Sequence, residues 1–97
     1  MLFHVSWTFI GRTEETEKRS LEVFGKWAPP QGAEFKGFYG FATGGGGVAL
    51  IEVDSAATLA KTTAPWTPWL DFTVTPILPI EEMAAIGGEG VAFRESV

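Results

Sequence analysis

Phe3-His4-Val5-Ser6-Trp7-Thr8-Phe9 alternates apolar and polar residues without a break. Successive side chains of an extended chain point to opposite faces, so Phe3, Val5, Trp7 and Phe9 share one face and His4, Ser6 and Thr8 the other. The stretch predicts a strand with one apolar and one mixed face, and the rest of the chain must cover both. Downstream, Gly11 breaks the pattern and Thr13 reads as a helix N-cap, with Glu14, Glu15 and Glu17 in a first turn where exposed amides favour negative charge. Leu21, Phe24 and Trp27 then recur at a spacing of three, a narrow apolar stripe that Pro29 and Pro30 end.

Glu34 to Ala42 is rich in aromatics and Val48 to Val53 is strand-like, with Gly44 to Gly47 between them. The pair predicts a hairpin with a flexible tip. Asp54 or Ser55 caps a short second helix bearing Ala56, Leu59 and Ala60, and Pro65 closes it. Asp71 to Leu78 alternates again, and Pro76, which lacks an amide donor, suits an edge strand. Beyond Pro79, Ile80 to Ile86 predicts one or two helical turns, followed by the Gly87-Gly88-Glu89-Gly90 joint and Val91 to Phe93. Residues 1–80 therefore form the domain, and residues 81–97 a C-terminal appendage of short helix and tail.

The resulting order, βαββαβ, predicts an α+β fold: a four-stranded antiparallel sheet with strands two and four at its edges and two helices on one face. Strands one and three are read as parallel central neighbours that start together, which sets His4 beside Val48 and Leu50 and sends Glu52 to the far end beside Thr8. The helix-covered face takes Phe3, Val5, Trp7, Phe9, Ala49, Ile51, Val53, Phe72 and Val74, closed by Leu21, Phe24, Trp27, Leu59 and Ala60. The other face carries Leu2, His4, Ser6, Thr8, Val48, Leu50, Glu52, Thr73, Thr75 and Ile77, too polar for a dry core and too apolar for open water. A second copy of the chain packed across a twofold axis would cover it, so a homodimer is expected.

The chain has 97 residues, 45% of them hydrophobic, with seven Lys and Arg against twelve Asp and Glu and a net charge of −5. That length supports a single core. The negative balance excludes a nucleic-acid or anionic-membrane partner, which needs clustered positive charge. The absence of cysteine removes disulfides and thiol catalysis and suits a reducing, cytoplasmic setting. No apolar run approaches the ~20 residues of a membrane span.

Three segments carry a resemblance: Phe3–Phe9, Gly46–Asp54 and Ala64–Leu78, the last reading Ala-Pro-Trp-Thr-Pro-Trp-Leu-Asp-Phe-Thr-Val-Thr-Pro-Ile-Leu. They resemble a bacterial domain-of-unknown-function family, number thirty-three-oh-three, to which marine-phage chains are also similar. The resemblance spans roughly residues 1 to 80. It implies the ferredoxin-like βαββαβ sandwich of the dimeric α+β barrel superfamily, whose members include cofactor-free monooxygenases, isomerases, haem-degrading enzymes and proteins without known activity. The haem-degrading relatives use an asparagine and a histidine on the second-helix side. This chain has no asparagine, and its Ser55–Ala64 helix has no histidine, so the resemblance does not extend to that activity.

Among single residues, His4 is the lone histidine and the first candidate for proton transfer. Glu52, a carboxylate on a central strand, is the second candidate acid or base. Both have structural alternatives, an interface histidine and a salt bridge. Ser6, Thr8, Leu50, Thr73 and Thr75 line the same mixed face, and Trp66 and Trp69 either wall a cavity mouth for a flat apolar ligand or staple the second helix to the fourth strand. Two isolated carboxylates without a second histidine give no metal site, and no cofactor motif is present. Lys36–Phe41 departs from the RNA-recognition signature because Tyr39 upsets its spacing and the segment lies on the second strand. Gly44–Gly47 leads into a strand, so it offers no helix terminus to a phosphate. The expected function is binding of a small apolar or aromatic molecule in the barrel, with weak acid/base chemistry by His4. The alternative is a non-enzymatic interaction or regulatory protein, phage-encoded, that uses its dimer surface and C-terminal tail.

Overall fold

A computed structural model describes residues 1–97 as β1 (Leu2–Phe9), α1 (Glu14–Lys26), β2 (Ala33–Gly40), β3 (Gly46–Val53), α2 (Ala56–Thr63), a single 3-10 turn (Ala64–Trp66), β4 (Leu70–Ile77) and α3 (Ile80–Glu95). Local chemistry sets the helix starts. The Thr13 side chain accepts from the Thr16 N–H at 3.1 Å, and the Thr16 hydroxyl accepts from the Thr13 N–H at 3.0 Å, a reciprocal box that satisfies two otherwise orphaned donors. At α2 the cap is Ser55, which accepts from the Thr58 N–H at 3.2 Å. Asp54 does not cap the backbone; its carboxylate accepts from the Thr58 hydroxyl, and that bond holds its pKa below the ordinary 3.8.

The strand order is β2-β3-β1-β4, and every neighbouring pair is antiparallel. This corrects the parallel reading of the central pair. The α1 crossover returns β2 in the direction of β1, and the hairpin then reverses the chain once, so β3 must oppose β1. The register follows: His4 stands opposite Leu50, Leu2 opposite Glu52 and Thr8 opposite Gly46. Glu52 therefore sits at the His4 end of the sheet, one pair away, and not beside Thr8.

A bulge interrupts the β2–β3 ladder between Phe35 and Gly37, so that Phe35 faces Ile51 and Phe38 faces Ala49. The extra residue brings two aromatics three apart in sequence onto one face. Val5, Ala49, Ile51 and Val53 make the fully buried core on that face, with Phe3, Trp7, Phe35, Leu59 and Phe72 packed around them. The α1 stripe does not close this layer as its spacing predicts. Leu21 and Phe24 stay half exposed or more, and a cavity lies between α1 and the sheet.

The C-terminal segment also departs from expectation. α3 is one helix of 16 residues that runs straight through Gly87, Gly88 and Gly90, and none of its residues is buried. Glycine weakens a helix by about 1 kcal/mol per residue without forbidding it, and the surrounding Ala, Glu, Met and Arg are strong helix formers. The molecule is consequently elongated, 58 × 29 × 21 Å. No helix is long and apolar enough to cross a membrane.

Candidate functional site

The sheet sorts the chemistry-bearing residues onto two faces, and the two faces differ in kind. On the helix-free face the cross-strand rows are Glu52–Leu2–Ile77, Leu50–His4–Thr75, Val48–Ser6–Thr73 and Gly46–Thr8–Asp71. His4 is thus flanked directly by Leu50 and Thr75 and diagonally by Glu52. Sequence reasoning separates His4 from Glu52; the antiparallel register brings them together. Glu52 is engaged elsewhere, however: its Oε1 accepts from the Met1 ammonium at 2.8 Å, and that ammonium also donates to the Val53 carbonyl at 3.0 Å. Thr8, Thr73 and Thr75 are exposed, so this face is an open, half-polar floor and not a pocket.

The helix-covered face holds a cavity of about 430 Å³ between α1, the sheet and the α2–β4 connection. This volume lies within the range of sites for small molecules. Its floor is Val5, Trp7, Ala49, Ile51 and Phe72, its roof is Leu21 and Phe24 from α1 with Trp27 just beyond the end of that helix, and Trp66 closes one side. The rings form a continuous wall. Trp27 meets Trp66 edge-on at 5.0 Å, Phe24 meets Phe38 at 6.0 Å, Trp7 meets Phe38 at 5.8 Å, and Phe35 lies 4.9 Å from Phe38. Edge-to-face pairing keeps such rings apart at ring-width distances where aliphatic side chains would interdigitate, and the gap is the consequence.

No carboxylate, imidazole, ammonium or guanidinium lines this cavity. The polar side-chain groups of its lining residues are the hydroxyls of Ser20, Thr62, Thr63 and Tyr39 and the indole N–H groups of Trp7, Trp27 and Trp66. Thr62 donates to the Leu59 carbonyl at 2.6 Å and Thr63 to the Ala60 carbonyl at 3.2 Å, so both retain only acceptor capacity. Ser20 differs: it is 8% exposed, and its hydroxyl has no hydrogen-bond partner in the protein. Because no fully enclosed polar side-chain atom in the structure lacks a partner, the Ser20 oxygen is accessible, and Ser20 is one of the residues that line the cavity.

Of the residues singled out from sequence, Trp66 lines the cavity and Trp69 does not. Trp69 is half-buried and ties β1 to the β4 entry by accepting from the Ile10 N–H at 2.8 Å through its carbonyl. His4, Ser6, Leu50, Glu52, Thr73 and Thr75 all lie across the sheet from the cavity. No group of three His, Cys, Asp or Glu side chains is placed to hold a metal ion. Ser20, Thr62 and Thr63 escape sequence reasoning. The one available signal is the position of Ser20 a single residue before Leu21 and four before Phe24, on the apolar stripe of α1.

The strand order, the two helices on one face and the cavity beneath them define a ferredoxin-like α+β protein with a largely apolar cavity. The chain belongs to the family described as Domain of unknown function (DUF3303), which it matches over residues 1–91. None of the curated proteins matches it.

Proposed function

We propose that the protein binds a small, flat, uncharged molecule in the aromatic cavity between α1 and the sheet, with the Ser20 hydroxyl as its polar anchor. The observation that carries this reading is the Ser20 hydroxyl, without a partner in the protein, in a wall of rings that contains no charged group. The hydroxyl is free both to donate and to accept, and a ligand carbonyl, hydroxyl or amine would engage it. The lack of any charged group in the lining disfavours carboxylate, phosphate or ammonium ligands, whose desolvation nothing would offset. Binding, rather than acid/base catalysis, is the activity this supports, since His4 and Glu52 stand on the opposite face of the sheet. The open floor around His4 is the weaker candidate for a ligand because it encloses nothing.

Titration with N-phenyl-1-naphthylamine, a neutral flat fluorophore, tests the reading. Saturable binding of one probe per chain is expected, with quenching of the tryptophan emission, because Trp7, Trp27 and Trp66 wall the cavity. A Ser20→Leu variant, which fills the space, is expected to bind at least tenfold more weakly with unchanged far-ultraviolet dichroism. Unsaturable binding, or equal affinity in the filled variant, would overturn it. Native mass spectrometry of protein purified from its own host would then report any retained small molecule directly.

A further inference from the structure

The cavity opens between α1 and the edge strand β2. Its exposed lining residues are Leu21 and Phe24 of α1 and Phe38, Tyr39 and Gly40 of β2; every other lining residue is buried or half-buried. β1 and β2 both run antiparallel to β3, so they share a direction, and α1, which carries the chain back between them, runs the opposite way. Along this seam Phe24 meets Phe38 edge-on at 6.0 Å. One turn back along α1 comes Leu21, and two residues on along β2, on the same face of the strand, comes Gly40. Both steps lead toward the β2–β3 hairpin. Rings close the seam at the first pair; at the second, Leu21 finds no side chain opposite, and a window is left.

The backbone does not require glycine at position 40. The glycines at positive φ are Gly11, Gly32 and Gly44, and a Cβ on Gly40 would find only the Gly46 carbonyl oxygen, at 4.0 Å. A strand glycine with neither a special φ nor a crowded Cβ marks a place where another group approaches the backbone. The opposite end of the seam is closed by rings, Trp27 standing 5.8 Å from Phe35 and 5.0 Å from Trp66. Ser20 directly precedes Leu21, so a group bound to its hydroxyl stands between the rings and the window.

We infer that the ligand is a flat neutral ring system bearing an aliphatic chain: the ring lies against Trp27 and Trp66, its polar group meets Ser20, and the chain leaves through the window between Leu21 and Gly40. This rests on the binding reading above and adds to it the part of the ligand that the cavity does not enclose. The rim sets the chemistry of that part. Leu21 is 65% exposed, Phe24 50% and Phe38 44%, whereas the other exposed side chains of α1, Glu14, Glu15, Lys18, Arg19, Glu22 and Lys26, are all charged. An aliphatic chain removes the three apolar side chains from water as it passes over them; a polar or charged substituent leaves them bare. The window is continuous with the cavity, so the protruding part of the molecule inside is what covers its rim. Gly40 is then the residue that admits long ligands, because any larger side chain there projects into their path.

Neutral fluorophores that share one ring system and one carbonyl test this: dimethylaminonaphthalene bearing an acetyl, a butanoyl or a hexanoyl group. The acetyl member reads the cavity alone. Each methylene buried on the rim tightens binding by up to about fourfold, so the hexanoyl member should bind the full chain at least tenfold more tightly than the acetyl member. Gly40→Leu fills the window and should erase that ratio while the far-ultraviolet dichroism stays that of the wild type. Leu21→Glu changes a side chain already in solvent and should cut the ratio at least threefold, which keeps the test decisive if the first variant fails to fold. An acetyl member that does not bind would overturn the cavity reading and this inference with it. Equal affinities along the series, or a tenfold ratio that persists in a folded variant as it would for chains adhering elsewhere on the surface, would overturn this inference and leave the cavity reading standing.

Discussion

The indole N–H of Trp66 donates to the main-chain carbonyl of Ser20 at 3.4 Å, a buried bond between the 3-10 turn and the middle of α1. The same ring stands edge-on to Trp27 at 5.0 Å. One residue thus touches the middle of α1 and the residue that follows its last turn, and the side chain of the residue whose carbonyl it holds is the free hydroxyl of the cavity. The geometry of the proposed site and the stability of the helical layer are therefore coupled through Trp66.

Trp66→Phe keeps most of the ring and removes the donor. It should cost about 1 kcal/mol, the net worth of one buried hydrogen bond. Trp66→Ala removes the wall as well and should cost about 3 kcal/mol, the low end for a buried aromatic because the site already contains empty space. Urea denaturation of the two variants checks both the values and their order.

Trp7 stands opposite Gly47 in the β1–β3 ladder, and a Cβ on Gly47 would lie 2.9 Å from Trp7 Cε2 and closer still to the Tyr39 carbonyl oxygen. The indole lies on bare backbone. Gly47→Ala should destabilise by about 1–3 kcal/mol, as overpacking does, and weaken probe binding because the displaced ring forms part of the cavity floor. Gly45→Ala is the control: a Cβ there meets nothing within 4 Å, so its effect should stay within about 0.5 kcal/mol. Thermal unfolding and probe titration read both variants.

The fold is legible where a period can be counted. β1 alternates strictly, the caps of α1 and α2 announce themselves, and the βαββαβ order follows. β2 is less so, since the bulge after Phe35 replaces a period of two with a spacing of three. The direction of β3 relative to β1 depends on counting reversals, not on residue pattern, and a miscount puts Glu52 at the wrong end of the sheet from His4. The cavity leaves no trace, because Leu21, Phe24 and Trp27 have the same spacing whether a helix packs tightly or stands off on its rings. In α3 the paired glycines read as a joint, although the neighbouring residues carry the helix through them.

The two faces of the sheet should respond separately to substitution. Ser20→Ala removes the anchor without filling the space, and should weaken N-phenyl-1-naphthylamine binding about five- to tenfold, the loss of one hydrogen bond. His4→Ala should leave that affinity unchanged, because its imidazole lies between Leu50 and Thr75 on the far side. If His4→Ala weakened the probe as much as Ser20→Ala, the cavity would be the wrong site.

Asp54 gives the chain an acid-side dependence of known sign. The Thr58 hydroxyl bond is the largest cause lowering its pKa, supported by Ser55, the backbone and the charge of Lys61, and opposed by desolvation. A carboxyl whose pKa is depressed on folding contributes fully above its unfolded value, and that contribution is lost as pH falls through the folded value. The window therefore lies below the ordinary 3.8, and nothing from this group should change between pH 5 and 8. Thr58→Val removes the hydroxyl, while the Thr58 position keeps its backbone bond to the Ser55 cap. Carbon-detected NMR titration should place the Asp54 midpoint below the ordinary value in the wild-type chain and move it upward in the variant. An unmoved midpoint would assign the shift to Ser55 and the helix terminus instead.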